Sequence, residues 1–402
     1  SENMISEDKQ RSRITYTAKQ SLIAFLPGLG ELIAGWMISR TVPMLDIKPW
    51  ILIAYPMLLT SRGNVAGILS GNLSTLLNIG MVKPSLRKNT HIFYALISGS
   101  IFLTVITGLV GGLLTLLSFL VIHSFSILDF YEIMGVYLST AIFSSFLTIP
   151  ITALVGISSF RLGLDPDIVV YPIMSTLTDI VVSISYFFMI NLIVGLLNII
   201  EGLFMLFILL FLSLLFVFRF FKSDAFIRLV KESCLVVIIL ILVASLTGNI
   251  LSTLRSEIIK NPAILIVFPA LTCTAGDIGS VIGSMMTTKL VIGFLKPGFN
   301  IIIKMFPEIL GTEIVGAILF MIYGLIGSVT EHMGFMETLR NVLVTLSSNI
   351  ICFPIILLIS LVTAILTFRR GWNPDNFVIP IEATLADLIT TISLVLACMI
   401  LL

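Results

Sequence analysis

The stretch FRLGLDPDIVVYPIMSTLTDIVVSIS at residues 160–185 returns as FRRGWNPDNFVIPIEATLADLITTIS at residues 368–393, without a gap and with 13 of 26 positions identical. A second pair, residues 55–84 and 268–297, aligns with 9 identities in 30 positions. The offsets of 208 and 213 residues show that the chain contains two copies of one unit. Repeats in an apolar chain are typical of membrane transporters whose site lies between the two halves.

The composition predicts an integral membrane protein. Hydrophobic residues make up 57% and charged residues 11% of the chain, against about 25% charged in soluble domains, and the mean hydropathy is +1.13. The net charge of +1 gives no reason to expect a nucleic acid or another polyanion as a partner. The four cysteines stand singly, and no Ser-His, Cys-His, P-loop or HExxH arrangement appears, so the sequence predicts neither an enzyme nor a bound cofactor.

The apolar stretches predict an all-α membrane fold with eleven spans. We place them near residues 20–41, 48–80, 91–123, 130–158, 168–198, 202–221, 232–254, 261–295, 303–331, 338–367 and 376–402. The spans form a first five-helix repeat at 20–198, a linking helix and loop at 199–231, and a second five-helix repeat at 232–402. Because one helix separates two odd-numbered repeats, the halves are predicted to be parallel, as in a monomer with pseudo-dimeric symmetry.

The distribution of Lys and Arg predicts the orientation in a cell membrane. Segments expected on one side carry sixteen of these residues, and the opposite side carries five. The positive-inside rule then places the amino terminus in the cytoplasm and the carboxyl terminus outside. Residues 1–19 are polar and basic, and we expect them to form a mobile cytoplasmic tail.

Two spans carry helix-breaking residues at matching positions. The segment 48–80 contains Pro56 followed by SRGN at 61–64, and the segment 261–295 contains Pro269 followed by TAGD at 274–277. Breaks within the bilayer are tolerated where the freed backbone groups are buried or line a cavity. We therefore expect a broken second helix in each repeat, although a packing kink is an alternative reading.

Two repeated acids are the leading site candidates. Asp179 and Asp387 occupy equivalent positions, and each lies three residues after a threonine, Thr176 or Thr384, so that both polar groups share one helix face. A charged side chain in the bilayer costs several kcal/mol unless a cation or proton accompanies it. A structural role, with the acids satisfied by hydroxyls or by Arg62, remains an alternative.

Further acids are weaker candidates. Asn64 and Asp277 are equivalent and each follows a repeated glycine, so Asp277 adds a third carboxylate to the predicted site. Glu31, Glu313 and Glu382 lack an acidic counterpart in the other repeat, and they are candidates for access or coupling sites. A further pair, Asp167 and Asp375, lies at predicted helix starts, where a capping role is favoured.

The ligand chemistry favours a hard cation. The candidate site offers carboxylate, hydroxyl and amide oxygens, while the three histidines lie near predicted span ends. A site with a small number of carboxylates, in which the ion keeps its waters, suits Mg²⁺, whereas zinc or copper would recruit His or Cys. Mn²⁺, Ca²⁺ and a proton-coupled substrate stay open on this reasoning. The alternatives to a cation pathway are a proton-coupled carrier of a small solute and a membrane scaffold that transports nothing.

The run RGNVAGILSGNLSTLLNIG at 62–80 resembles the solute carrier family 41 magnesium transporters, and the repeated DPD…P…T…D block resembles the last helix of the bacterial MgtE channel domain. This resemblance implies two fused MgtE-like units and an axial pore for hydrated Mg²⁺ at the interface of the repeats. It implies that Asp179 and Asp387 bind the ion and that Asn64 lies beside the pore. Coupling to Na⁺ or H⁺ stays open. Asp277 departs from the family pattern, which has Asn there.

Overall fold

The structure is a computed structural model that describes residues 2–86, 88–121, 124, 126–162, 166–370 and 374–401. The side chains of residues 2–9, 166–173 and 374–381 lie outside this description. The α-helices are α1 (Glu2–Phe25), α2 (Glu31–Ser39), α3 (Trp50–Asn78), α4 (His91–Leu120), α5 (Ile127–Arg161), α6 (Pro166–Ile190), α7 (Ile199–Phe220), α8 (Asp224–Thr253), α9 (Arg255–Lys260), α10 (Ala263–Val291), α11 (Asn300–Lys304), α12 (Phe306–Thr330), α13 (Phe335–Arg370) and α14 (Pro374–Leu401). No strand occurs among these residues, which confirms the all-α prediction.

Ten helical segments in the described chain are long and apolar enough to cross a membrane. They are Gln10–Ser39, His91–Leu120, Ile127–Arg161, Met174–Leu196, Ile199–Phe220, Asp224–Thr253, Ala263–Val291, Phe306–Thr330, Phe335–Arg370 and Glu382–Leu401. The predicted span 48–80 corresponds to α3, which is 29 residues long but is not among the ten. Polar residues between Thr60 and Asn64 lower its hydropathy. A multi-pass membrane protein is confirmed.

The expected breaks in the second helix of each repeat are wrong. Both α3 and α10 run as single α-helices through Pro56 and Pro269. Proline removes one backbone hydrogen bond, and membrane helices tolerate it where neighbouring helices and Ser or Thr hydroxyls satisfy nearby carbonyls. Hydroxyl-to-backbone bonds reach carbonyls one turn or less from each proline, from Ser61 to the Leu58 carbonyl and from Thr272 to the Pro269 carbonyl, each at 3.1 Å.

The amino-terminal segment is also more ordered than expected. Residues 2–19 belong to α1 rather than to a mobile tail. This helix packs against α12, and the Arg13 side chain forms an ion pair with Glu308, at 2.6 Å between Nη2 and Oε1. A 3-10 segment, Leu26–Gly30, then leads into α2. The polar composition that indicated a tail instead supplies a charged contact at one end of a helix.

The helices form two compact units that differ from the sequence repeats. The carboxyl-terminal unit combines Ser1–Gly35 with Ser256–Leu402, and the central unit comprises Trp36–Arg255. In the carboxyl-terminal unit, α10 packs on α12, α13 and α14, and α1 lies on α12. In the central unit, α3 packs on α4, α5, α6 and α8, while α7 lies on α4 and α5. The leading helix of each repeat therefore packs within the other unit.

Two equivalent glycines allow this exchange. A Cβ atom on Gly35 would lie 1.8 Å from the Ile266 carbonyl oxygen, and a Cβ on Gly248 would lie 2.1 Å from that of Ile53. Gly248 lies 213 residues after Gly35, and Ile266 lies 213 residues after Ile53. This is the offset of the second repeated block. Only glycine permits such an approach of a helix to a backbone carbonyl. The same backbone contact thus occurs once in each unit.

Candidate functional site

In the carboxyl-terminal unit, the predicted ligand Asp387 lies on α14. Its side chain is partly exposed, and Thr384, one turn earlier, is buried. The Thr391 hydroxyl donates to the Asp387 backbone carbonyl at 2.6 Å, so this hydroxyl is directed to the backbone. The predicted helix face therefore presents a carboxylate with a hydroxyl one turn before it.

A close contact between α10 and α14 brings Asp277 towards Asp387. A Cβ on Gly276 would lie 3.5 Å from Ala383 Cα and 4.0 Å from Ala386 Cβ, so the helices meet there. As the first and last of four consecutive spans, α10 and α14 run in opposite directions. On each helix, the residue after the contact is turned by about 100° around the helix axis. In an antiparallel pair these two turns point to the same side. Asp277 and Asp387 consequently project from the same side of this helix pair.

A buried polar group lies behind Asp277. The hydroxyls of Thr274 and Tyr323 are 2.8 Å apart, and a Cβ on Gly28 would lie 2.8 Å from the Tyr323 oxygen. Both Asp277 and Glu31 are close enough to Tyr323 to interact with it electrostatically. The structure therefore places Glu31, a weaker candidate in sequence, near one of the predicted ligands.

The central unit repeats this arrangement with different chemistry. Asp179 and Thr176 lie on α6, which packs on α3, where Asn64 is found. The Asn64 Nδ2 atom is buried and makes no hydrogen bond within the described residues. A Cβ on Gly63, the counterpart of Gly276, would meet no atom of the described residues within 4 Å. The two helices are therefore in close contact at Gly276, whereas the described residues leave space beside Gly63.

The repeated helices that carry these side chains match a known family over most of their length. The model of MgtE, a divalent cation transporter, matches residues 55–189 and 268–397. The chain belongs to the MgtE family. Its two matched regions begin in α3 and α10 and end in α6 and α14, so each contains one copy of the Asp-bearing helix. No curated protein and no solved structure matches the chain.

Membership in the MgtE family establishes the general activity. MgtE proteins transport divalent cations, and the family is one of transporters rather than enzymes. The two matches confirm the two-repeat form indicated by the sequence. The helices α1, α7 and α8 lie outside the matched regions. The exchanged leading helices are therefore a feature that the structure adds to the family match.

A buried arginine distinguishes the central unit of this MgtE protein. The Arg62 side chain is fully buried, its Nη2 donates to the Thr148 hydroxyl at 2.8 Å, and its Nη1 donates to Thr104. Within the described residues no carboxylate forms an ion pair with it. The proposal that Arg62 satisfies the aspartates thus has no support from the ion pairs, and hydroxyls hold this charge instead.

The carboxyl-terminal unit buries carboxylates instead. Glu313 on α12 accepts a hydrogen bond from Asn349 at 2.6 Å, and Glu382 on α14 accepts one from Thr363 at 2.8 Å. The second oxygen of each carboxylate is buried without a hydrogen bond. The sequence identified both residues but no partner for either, because the partners lie on other helices.

One acid was missed in sequence. Glu308, in the first turn of α12, pairs with Arg13 and Lys289, each at 2.6 Å. Lys289 is in the last turn of α10. The signal was weak because Glu308 lies at a predicted span edge, where an acid needs no explanation. Its two cationic partners indicate a structural ion-pair cluster rather than a cation site.

The described residues contain no group of three or more His, Cys, Asp or Glu side chains that could hold a metal ion directly. Mg²⁺ dehydrates reluctantly and is commonly held by one or two carboxylates with its waters retained. Sparse carboxylates with nearby hydroxyls and amides suit such a hydrated cation better than a dehydrated one. The predicted caps Asp167 and Asp375 lie outside the described side chains, although α6 and α14 begin at the prolines that precede them.

Proposed function

We propose that this MgtE protein moves Mg²⁺ across the membrane as a hydrated ion. Asp179 and Asp387 bind the ion, and Asp277, Asn64, Thr176 and Thr384 contact its waters. The observation that supports the proposal is the close α10–α14 contact at Gly276, from which we infer that Asp277 and Asp387 project from the same side of the helix pair. Two carboxylates there supply the negative charge and the oxygen acceptors that hydrated Mg²⁺ requires.

The repeat gives a reason to assign one pathway to both units. Asp179 and Asp387 have the same position in the two matched regions. From this symmetry we infer a pore at the interface of the repeats, lined by both acids. The eleventh span is α3, whose length of 29 residues is sufficient to cross a bilayer. The distribution of Lys and Arg supports a cytoplasmic amino terminus and an external carboxyl terminus.

The experiment is Mg²⁺ uptake into proteoliposomes that contain a fluorescent Mg²⁺ indicator, with a membrane potential imposed. We expect flux in the wild type and a loss of about tenfold or more in Asp179→Asn and in Asp387→Asn, because each change removes a charge-assisted contact worth about 1.5–3 kcal/mol. Competition by Mn²⁺ and Ca²⁺ measures selectivity in the same vesicles.

The matched control is Glu201→Gln. Glu201 lies in the first turn of α7, where its side chain and that of Asn198 form a capping box. Glutamine retains this cap, so flux and folding should both remain at the wild-type level. An equal loss in Glu201→Gln and the two aspartate variants would refute the assigned site, and absence of flux in folded wild type would refute Mg²⁺ transport.

A further inference from the structure

Glu313 and Asn349 form a polar pair that the proposed pathway does not use. The Asn349 side chain is fully buried, and its Nδ2 donates to Glu313 Oε1 at 2.6 Å. Glu313 Oε2 and Asn349 Oδ1 are both buried, and neither has a hydrogen-bond donor within the described residues. Asn349 Oδ1 can only accept a hydrogen bond, and Glu313 Oε2 can also only accept one while the carboxylate is ionised.

A proton resolves this deficit. Leaving a buried acceptor unsatisfied costs about 1–3 kcal/mol, and here two acceptors are affected. If Oε2 carries a proton, it donates to Asn349 Oδ1 while Oε1 continues to accept from Nδ2. The acid and amide then form a closed pair with two hydrogen bonds. Protonation also removes a charge from a membrane-spanning helix.

The surrounding charges do not replace that proton. Arg13 of α1 and Lys289 of α10 both bind Glu308, which is more than one helical turn from Glu313. Lys304 of α11 is exposed. The Cys352 thiol of α13 is close enough to Glu313 to interact with it electrostatically, and Asp277 and Glu31 are close enough to Tyr323 to do the same. Burial and the hydrogen bond from Asn349 therefore act most strongly on proton binding by the Glu313 carboxyl group.

The pair is adjacent to the proposed ion ligands. A Cβ on Gly316, one turn after Glu313, would lie 2.5 Å from Ile278 Cδ1 and 3.7 Å from Glu313 Oε2. Ile278 directly follows Asp277 on α10. A change of charge at Glu313 therefore acts at the α10–α12 contact, one residue from a proposed ligand. The Glu313 residue as a whole is partly exposed, although its Oε2 atom is buried, so the proton lies close to the surface of the unit.

We propose that Glu313, paired with Asn349, is the proton-binding site that couples cation movement to a proton gradient. When the proton leaves, the Oε2–H bond breaks, the proton passes to water, and a carboxylate remains; rebinding reverses the step. This inference rests on the proposed Mg²⁺ transport for its coupling, although proton binding itself does not.

The test compares Glu313→Gln with the wild type and with Glu308→Gln. Glutamine at 313 accepts from Asn349 Nδ2 and donates to Oδ1, so it permanently imitates the protonated pair. Mg²⁺ uptake is followed under a membrane potential alone, with an added pH gradient, and with an added Na⁺ gradient. We expect a pH gradient to change wild-type uptake several-fold, Glu313→Gln to lose that response, and Glu308→Gln to keep it.

Three flux results would overturn the inference. They are an unchanged pH response in Glu313→Gln, wild-type uptake that responds to neither gradient, and wild-type uptake that responds to Na⁺ but not to pH. In the last case the two acceptors hold Na⁺ instead of a proton.

Proton binding can also be tested without measuring transport, from the pH dependence of stability. A group that binds a proton only in the folded protein makes stability fall as pH rises. The melting temperature of purified wild type should therefore fall more steeply towards alkaline pH than that of Glu313→Gln, which retains its hydrogen bonds. Glu308→Gln should be less stable at every pH, since it leaves Arg13 and Lys289 without their carboxylate. Parallel curves for the wild type and Glu313→Gln would refute proton binding, whether or not Mg²⁺ is transported.

Discussion

The central and carboxyl-terminal units are built from equivalent helices, yet the ionisable groups within them differ. The central unit buries Arg62 among hydroxyl groups, and Ala275 occupies the equivalent position in the carboxyl-terminal unit. The latter buries Glu313 and Glu382, each with one oxygen unsatisfied. Duplicated helices have thus retained their backbone contacts while their polar groups have diverged.

A second difference concerns the helix pair that carries the repeated aspartate. At Gly276 the helices α10 and α14 are in van der Waals contact, whereas at Gly63 there is space beside α3. Asp277 occupies the closed contact, and Asn64 occupies the open one. If both residues contact the ion's waters as proposed, this difference predicts that the two units contribute unequally to ion binding.

The largest expected effect tests what the units share. Gly35→Ala and Gly248→Ala should each destabilise the protein by about 3 kcal/mol, at the upper end of the range for overpacking, because a helix backbone cannot move away as a side chain can. Thermal unfolding in detergent measures this. Gly71→Ala is the control: a Cβ there meets nothing within 4 Å, so its stability should be unchanged or higher by about 0.5–1 kcal/mol. If only one of the two alanine variants were destabilised, the leading helices of the two repeats would not be held by equivalent contacts.

The next effect tests the charge of the central unit. Arg62→Gln should lower stability by about 1.5–3 kcal/mol, since hydrogen bonds from a charged group to Thr104 and Thr148 are lost. Arg62→Lys should restore little, because one ammonium group does not reproduce the planar fork that reaches two hydroxyls. Chemical denaturation with matched lipid and detergent checks both variants. Full stability in Arg62→Lys would mean that the charge alone matters.

The smallest effect sharpens the comparison of ion ligands. Asp277→Asn makes the carboxyl-terminal unit resemble the central one and should weaken Mg²⁺ flux by about tenfold, the equivalent of about 1.4 kcal/mol. Asn64→Asp in the same chain moves the carboxylate to the central unit and should recover part of the flux. Uptake in proteoliposomes as a function of Mg²⁺ concentration measures the change. Recovery to the full wild-type level would show that the units contribute equally, and the asymmetry would then be without consequence.

Much of the candidate site could be predicted because it rests on repeated residues. Asp179, Asp387, Asn64 and Asp277 stand out when the two copies are aligned. The partners of Glu313 and Glu382 could not be found this way, since they lie on other helices and have no repeated counterpart. The breaks expected at Pro56 and Pro269 were wrong, because local composition does not report the packing that holds a helix together around a proline.

The sequence by itself determined the membrane environment, the helical content, the two-fold repetition and the acidic positions that repeat. These follow from hydropathy and identity, which are local properties of the chain. Only the tertiary structure decided that α1 and α8 each pack in the unit formed by the other repeat, and that Glu313 meets Asn349. Apolar helices of similar length are interchangeable by composition, so their pairing depends on close backbone contacts such as Gly35 with Ile266 and Gly248 with Ile53.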